Sequence, residues 1–432
     1  MKLKNIMVLI LAIILIVSLS GCTNSTSTEN NTDSQTAEIN TISEPDVANA
    51  PTDGTSGQLP ANGQGQGMMP SEGTAVSNQY SLVSNLDTGI ITEDQFSSRD
   101  LEQTADLSVA TTLNLTSGND TTITTEGVYI IKGNVTNASI IVDAGDTDKV
   151  QLVLDGVTIT NDSKAAIYVK SADKVFVTTT GSASALTVNG TIETDGDTNV
   201  DAVIFSKADL TLNGTSSLNV VAKQDNAITS KDDLKVTGGT YNLTSVGHGL
   251  EAKDSIRVYD GLLTINAGKD ALHGENEEDA TFGYIYIQNG TINITSSDDA
   301  IHSNTIVQID GGTINIENAS EGIEATFVKI NGGDIKLYAT DDGINAANKS
   351  DNDVRIEVNG GIITVTMASG DTDGFDSNGD LYINGGSINV TANSAFDADG
   401  ARVLNGGTVI VNGQQVTEIT VQQMGGPGGK RH

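Results

Sequence analysis

Acidic side chains recur along this chain at one phase of a repeat, and carboxylates held that way bind cations. Two residues before a recurring apolar position, successive units present Asn226, His248, Asp270, Asp299, Glu321, Asp342, Asp373 and Ser394. One residue after it they present Thr229, Glu251, His273, His302, Glu324, Asn345, Asp376 and Asp397. Asp225, Asp298, Asp341, Asp371 and Asp399 flank these positions. If the units stack in register as coils, members of one column lie about 4.8 Å apart. Two unit charges at that separation repel by roughly 3.5 kcal/mol at an effective dielectric near 20. Asp270, Asp299, Glu321, Asp342 and Asp373 would form such a ladder, which needs cations. Ca²⁺ takes several oxygen ligands in adaptable geometry and suits adjacent coils, whereas Mg²⁺ demands a tight octahedron. The expected ligands of several Ca²⁺ ions are Asp270, Asp298, Asp299, Glu321, Glu324, Asp341, Asp342, Asp371, Asp373, Asp376, Asp397 and Asp399. The competing reading is that the acids only decorate solvated turns. His273 and His302 fall on adjacent units with no cysteine nearby, which favours a hydrogen-bonded stack over a transition-metal site.

Those columns require a solenoid to hold them. A small residue followed by an apolar one recurs at Ala166-Ile167, Ala202-Val203, Ala227-Ile228, Gly249-Leu250, Ala271-Leu272 and Ala300-Ile301. It continues at Gly322-Ile323, Gly343-Ile344, Gly374-Phe375 and Ala395-Phe396. From Ala227 the spacings are 22, 22, 29, 22, 21, 31 and 21 residues, with insertions at His273–Gly283 and Ala346–Asp353. A fixed period with occasional insertions marks a repeat architecture. Each unit alternates apolar and polar residues on either side of a Gly pair, as in Val328-Lys329-Ile330 and Ile335-Lys336-Leu337 around Gly332-Gly333. With the strand that carries the small–apolar pair, this makes three strands per coil. The predicted fold is therefore all-β, a right-handed parallel β-helix of three sheets. A leucine-rich repeat would show a 3.6-residue period between strands, and the nonapeptide β-roll needs tandem Gly-Gly-x-Gly-x-Asp units; neither is present.

The boundaries follow from composition. Residues 1–21 carry Lys2 and Lys4, an apolar run from Ile6 to Val17, and a Leu19-Ser20-Gly21-Cys22 end, which together read as a lipoprotein signal peptide. Cys22 is the chain's only cysteine and is the expected lipidation site, so no intramolecular disulfide can form. The expected location is extracellular, lipid-anchored to the outer face of the bacterial cytoplasmic membrane, with the anchor as the only membrane contact. Residues 22–106 are rich in Ser, Thr, Asn, Gln and Gly and hold four of the five prolines, composition suited to a flexible tether. Residues 107–424 lack proline, as continuous strand ladders require, and 425–432 are a Gly-rich tail. Cleavage after Gly21 removes two lysines and no acid. The 22 basic side chains become 20 against 56 acidic ones, and the charge moves from −34 to −36. Such a charge opposes binding to nucleic acid or anionic membrane.

Longer motifs carry a resemblance. Leu154-Asp155-Gly156-Val157-Thr158-Ile159, with Ala166-Ile167-Tyr168-Val169-Lys170-Ser171-Ala172-Asp173, resembles the opening of a clostridial carbohydrate-binding β-helix family. Asp341-Asp342-Gly343-Ile344-Asn345-Ala346 and Gly374-Phe375-Asp376-Ser377-Asn378-Gly379 resemble its recurrent turns, and Ala395-Phe396-Asp397-Ala398-Asp399-Gly400 its closing one. The likeness runs from Leu107 to Val421. It implies a fold similar to pectate-lyase-like β-helices, calcium between coils, and affinity for cellulose and acidic plant polysaccharide.

Two columns are candidates for sugar contact. One reads Lys235, Arg257, Tyr286, Gln308, Lys329, Glu357 and Tyr382, from which Lys235, Arg257, Tyr286, Lys329 and Tyr382 are the candidate carbohydrate-binding residues. The other reads Asn242, Thr264, Asn293, Asn315, Lys336, Thr364 and Asn389. Both would be solvent-facing and would track a glycan along one flat sheet, or would simply be the outward halves of amphipathic strands. The expected function is binding of plant cell-wall polysaccharide, cellulose or polygalacturonate, without cleavage. The alternative is a calcium-dependent pectate lyase, in which a base takes the proton that the metal acidifies. Lys253, Arg257, Lys269, Lys329 and Arg355 are available bases, but none sits in a recognisable lyase motif. A purely structural surface protein is the third possibility.

Overall fold

Parallel ladders consume every strand amide, and residues 107–424 contain no proline to interrupt them. The computed structural model describes residues 95–370 and 372–420. The signal peptide, Cys22, the tether up to residue 94, Asp371 and the Gly-rich tail lie outside the described residues. Within them the chain forms three sheets of 13, 13 and 12 strands. Successive coils contribute adjacent, parallel strands to each sheet, which makes the molecule a parallel β-helix. The only helical segment among the described residues is a 3₁₀ turn at Leu107–Val109.

The apolar residues that set the repeat stack inside the coil. Ile228, Leu250, Leu272, Ile301, Ile323, Ile344, Phe375 and Phe396 pair in sequence along the third sheet, and all are buried. One unit differs from the expected phase. Ile204, not Val203, pairs with both Ile167 and Ile228, so the small–apolar pair there is Val203-Ile204. Ala202 takes the place that Asn226 fills on the next coil. The whole strand Ala202–Ser206 is buried, which erases the alternation that would have revealed the slip.

The Gly pairs mark the corner between the first and second sheets. The second glycine of each pair takes a left-handed backbone, for example Gly333 at φ 97° and Gly386 at φ 91°. A Cβ on Gly407 would lie 2.7 Å from the Gly386 carbonyl oxygen of the adjacent coil, so the corner excludes larger residues on two counts.

The outer faces differ. Strands of the second sheet alternate exposed and buried positions, as in Leu262–Ala267. In the first sheet, Asp209–Gly214 is buried at every position but Asp209 and Lys174–Thr179 throughout, so something covers its outer face. The second sheet ends in a return strand: Thr408–Val411 pairs antiparallel with Gln414–Val416 across Asn412 and Gly413, both at positive φ.

Candidate functional site

The acidic columns run along the third sheet and the turn that enters it. Short strands such as Leu272–Gly274 and Ile301–Ser303 bury their first and third residues and leave the histidine between them partly exposed, whereas Ile323–Ala325 is buried throughout, Glu324 included. Thr229, Glu251, His273, His302, Glu324, Asn345 and Asp376 are in register across seven coils, as expected. At the turn, Asn226 Oδ1 accepts the His248 amide N–H at 2.8 Å, and Asp270 Oδ1 accepts that of Asp299 at 3.0 Å. Asp299 Oδ1 accepts from Glu321 at 3.2 Å and Asp342 Oδ1 from Asp373 at 3.1 Å. The column thus has a backbone role: each short acceptor satisfies a turn amide on the next coil, which would otherwise be an orphan donor.

Over the first coils the charges are met by cations. His248, His273 and His302 stack, with centroids 4.2 and 5.0 Å apart. Nδ1 of His273 lies 2.6 Å from Asp270 Oδ2, and its Nε2 lies 3.1 Å from Glu275. His302 Nδ1 sits 3.1 Å from Asp299 and 2.8 Å from Glu324, whose other oxygen meets Lys349 Nζ at 2.8 Å. Burial alone would drive His302 down, but the two carboxylates outweigh it and push its pKa up to about 10. Burial likewise opposes ionisation of Asp270, yet the His248 and His273 contacts hold its pKa well below the usual carboxylate range. Asp299 moves the other way, raised by burial and by Asp270 and Glu324. His248, Asp270 and His273 can offer ligand atoms within 4.8 Å of one another, as can Asp299, His302 and Glu324, and Asp270, Asp298 and Asp299. The two insertions flank this stack. Glu275, Asn276, Glu278, His302, Lys349 and Asp351 line a cleft of about 540 Å³ between them.

Farther along, the acids lack such partners. Among the described residues, no Lys, Arg or His nitrogen lies within ion-pair distance of Glu321, Asp342, Asp376 or Asp397. Burial, with Glu324 and Asp299 nearby, pushes Glu321 up to about 9. Burial and the neighbouring aspartates raise Asp342 to about 7 and Asp376 to about 6. Asn345, 7% exposed, donates to Glu321 at 3.0 Å, while its Oδ1 has no hydrogen-bond partner. The orphaned amide oxygen, on a side chain that also reaches Glu321 and Glu324, is a donor of the kind a hard cation takes, but among the described residues Glu321, Asp342, Asp376 and Asp397 belong to none of the three groups whose ligand atoms lie within 4.8 Å of one another. Asp341 and Asp399 are exposed at the rim.

The candidate sugar residues divide as well. Lys235, Arg257, Tyr286, Gln308, Lys329, Glu357 and Tyr382 are in register on the first sheet. The column is not uniformly solvent-facing, however. Lys235 is 7% and Tyr286 6% exposed, and Lys329 and Tyr382 are half-buried. The segment Gln95–Gln103, assigned by composition to the tether, lies against that part of the sheet. Arg257 also forms a two-pronged contact with Asp233 at 2.8 and 2.9 Å. Asn242, Thr264, Asn293, Asn315, Lys336, Thr364 and Asn389 are likewise in register, but on the second sheet. The two columns therefore face different sides of the prism and cannot track one glycan together. Of the candidate bases, Lys253 is tied to Glu278 at 2.6 Å, which raises its pKa, and Arg355 lies 4.3 Å over the Phe327 ring. The sequence reading missed Glu275 and Lys349, which lie in insertions outside the period.

The profile of a family described as "Carbohydrate-binding domain-containing protein" matches residues 117–374 and 324–418. A protein of that description from Acetivibrio thermocellus is 49% identical over 53 residues, 12% of this chain and 18% of that relative's length. A solved structure titled as the polysaccharide lyase-like protein from C. thermocellum, gadolinium derivative, is 31% identical. It covers 52% of this chain and 92% of its own, with a TM-score of 0.44.

Proposed function

The chain belongs to the carbohydrate-binding domain family, and on that premise we propose that it binds plant cell-wall polysaccharide, cellulose or polygalacturonate, without cleaving it. The observation that carries this reading is the open outer face of the second sheet. Its central column offers Asn, Thr and Lys side chains at strand spacing, and the amides are held in line: Asn242 Nδ2 donates to Asn219 Oδ1 at 2.8 Å, and Asn315 Nδ2 to Asn293 Oδ1 at 3.0 Å. Leu262 and Ile362 lie exposed on the neighbouring column, Ile362 at 56%. A flat array of polar groups with apolar spots suits the hydroxyl edges and apolar faces of sugars.

Calcium is part of the proposal. Glu321, Asp342, Asp373, Asp376 and Asp397, with the Asn345 amide oxygen, are the residues that would hold it. Bound there, Ca²⁺ would supply positive charge and tie adjacent coils together. Asp270, Asp299 and Glu324 already share their charge with histidines and Lys349, so they rank below that group as ligands. Lipidation of Cys22 and anchorage outside the cytoplasmic membrane complete the reading. The test is a pull-down of the full chain on insoluble cellulose, and titration with soluble polygalacturonate, each with Ca²⁺ and with chelator. Retention without unsaturated uronate products is expected. Release of such products would establish a lyase, and failure to bind either glycan in any calcium condition would refute the proposal.

A further inference from the structure

The segment Gln95–Gln103 crosses five successive strands of the first sheet, roughly at right angles to them. Arg99 stacks 4.7 Å over Phe176, and Asp100 meets Lys174 Nζ at 2.7 Å and accepts from Thr211 Oγ1 at 2.9 Å. Asn213 Nδ2 donates to the Glu102 carbonyl, Gly214 N–H to Gln103 Oε1, and Gln103 Nε2 to the Thr237 carbonyl. At the other end Phe96 packs edge-on against Tyr259 at 5.3 Å, and the Gln95 carbonyl and side chain accept from Arg257 and Tyr284. Five strands span about 19 Å along the helix axis.

Beneath this strap lies a lane unlike the rest of the surface. It collects Lys174, Lys235 and Arg257 with the rings of Phe176, Tyr259, Tyr284 and Tyr286, balanced in part by Asp209 and Asp233. On a chain of formal charge −34 this is a rare concentration of cations beside aromatic faces. The strap fills it as an amphipathic segment that turns at its centre, where the Asp100 and Leu101 N–H groups donate to the Ser97 carbonyl at 3.0 and 3.4 Å, and it presents a carboxylate seated on an ammonium, an aromatic contact, and polar groups along the axis. Asp100 is 1% exposed, so its carboxylate is fully enclosed by the lane.

We propose that Gln95–Gln103 is a built-in occupant of a second glycan-binding lane, and that its release opens the lane to an acidic polysaccharide, with the uronate carboxylate taking the place of Asp100 on Lys174. This rests on the carbohydrate-binding reading and adds to it a separate face and a gate. A site occupied in cis has its apparent affinity lowered by the fraction of molecules in which it is open.

The test compares full chains. Phe96→Ala with Asp100→Asn removes the ring and the charge that seat the strap. Polygalacturonate fragments should bind that variant at least about tenfold more tightly than the wild type, as expected when a mostly closed site opens. Adding Lys235→Ala and Arg257→Ala to the variant should abolish the gain. A Cβ at Gly238 would have only Gln103 side-chain atoms as its three nearest neighbours. Gly238→Ala therefore disturbs the strap from the sheet side and should give a smaller gain of the same sign, should the double variant fold poorly. Unchanged or weaker uronate binding in a folded strap variant overturns the proposal, and so does a gain that survives loss of Lys235 and Arg257. Cellulose retention by the wild-type chain, measured alongside, reports separately on the reading above.

Discussion

Replacing Asp342 by Asn should stabilise the protein without calcium and destabilise it with calcium. Asp342 Oδ1 accepts the Asp373 N–H at 3.1 Å, and an asparagine keeps that acceptor, so the substitution removes charge and little else. In the metal-free fold, burial and then Asp376, Asp341 and Asp373 raise the carboxyl from 3.8 to about 7. For an acid whose folded pKa lies above its unfolded one, no penalty exists below about 3.8, and stability is lost as pH rises from there through about 7. Three units at about 1.4 kcal/mol each cap the loss near ~4 kcal/mol. Solvent screening of a half-buried group reduces this to about 1–2 kcal/mol. Asp342→Asn should recover that amount at about pH 8 in chelator and almost nothing near pH 4. With free Ca²⁺ at about a hundred times its dissociation constant, binding adds roughly 2.7 kcal/mol to the wild type, and the variant should forfeit much of it. Denaturant unfolding of the full chain, followed by far-ultraviolet circular dichroism in chelator and in Ca²⁺, reads both signs. If the variant is less stable than wild type in chelator at high pH, the crowded carboxylates are not an uncompensated charge and the calcium assignment loses its basis.

Two further outcomes follow from the same columns and from the leader. Asp270→Asn should destabilise the fold near pH 6 by at most about 3–5 kcal/mol, because it leaves buried His273 with Glu275 as its one remaining carboxylate partner. His273 is held above its ordinary value of 6.5, burial being outweighed by Asp270 and Glu275, so its contribution is full below about that pH and fades as pH rises through the folded value; a cost that does not decline as pH is raised would contradict the pairing. Cys22→Ser should leave the protein unprocessed or release it to the medium, and unchanged processing and membrane fractionation would refute lipid anchoring.

Most of the architecture was legible because the period-two alternation and the small–apolar pair are direct consequences of coil geometry. Ala202–Ser206 escaped correct phasing because five buried residues in a row carry no alternation. The columns of acids could be listed from sequence, but not their division: whether a carboxylate meets a histidine or another carboxylate depends on Lys349 and Glu275, which sit in insertions outside the repeat. Nor does sequence spacing show which side of the prism a column occupies, so Lys235 and Asn242 seemed to share a face. The strap left a clue that composition averaged away. Phe96 and Arg99 are the only phenylalanine and the only basic residue between positions 22 and 106, and both seat against aromatic rings.

The Asn412–Gly413 reversal has a consequence for what the molecule can become. A stack of parallel coils has no intrinsic length; its last strand is a template for another, from the same chain or a neighbour. By folding Gln414–Val416 back on Thr408–Val411, the chain spends the open edge of its second sheet on itself, in the opposite direction to every other pairing. An incoming parallel strand then meets a short antiparallel edge out of step with the lattice. Among the described residues the hairpin thus closes the second sheet alone, while the first and third sheets end at Arg402–Leu404 and Ser394–Phe396.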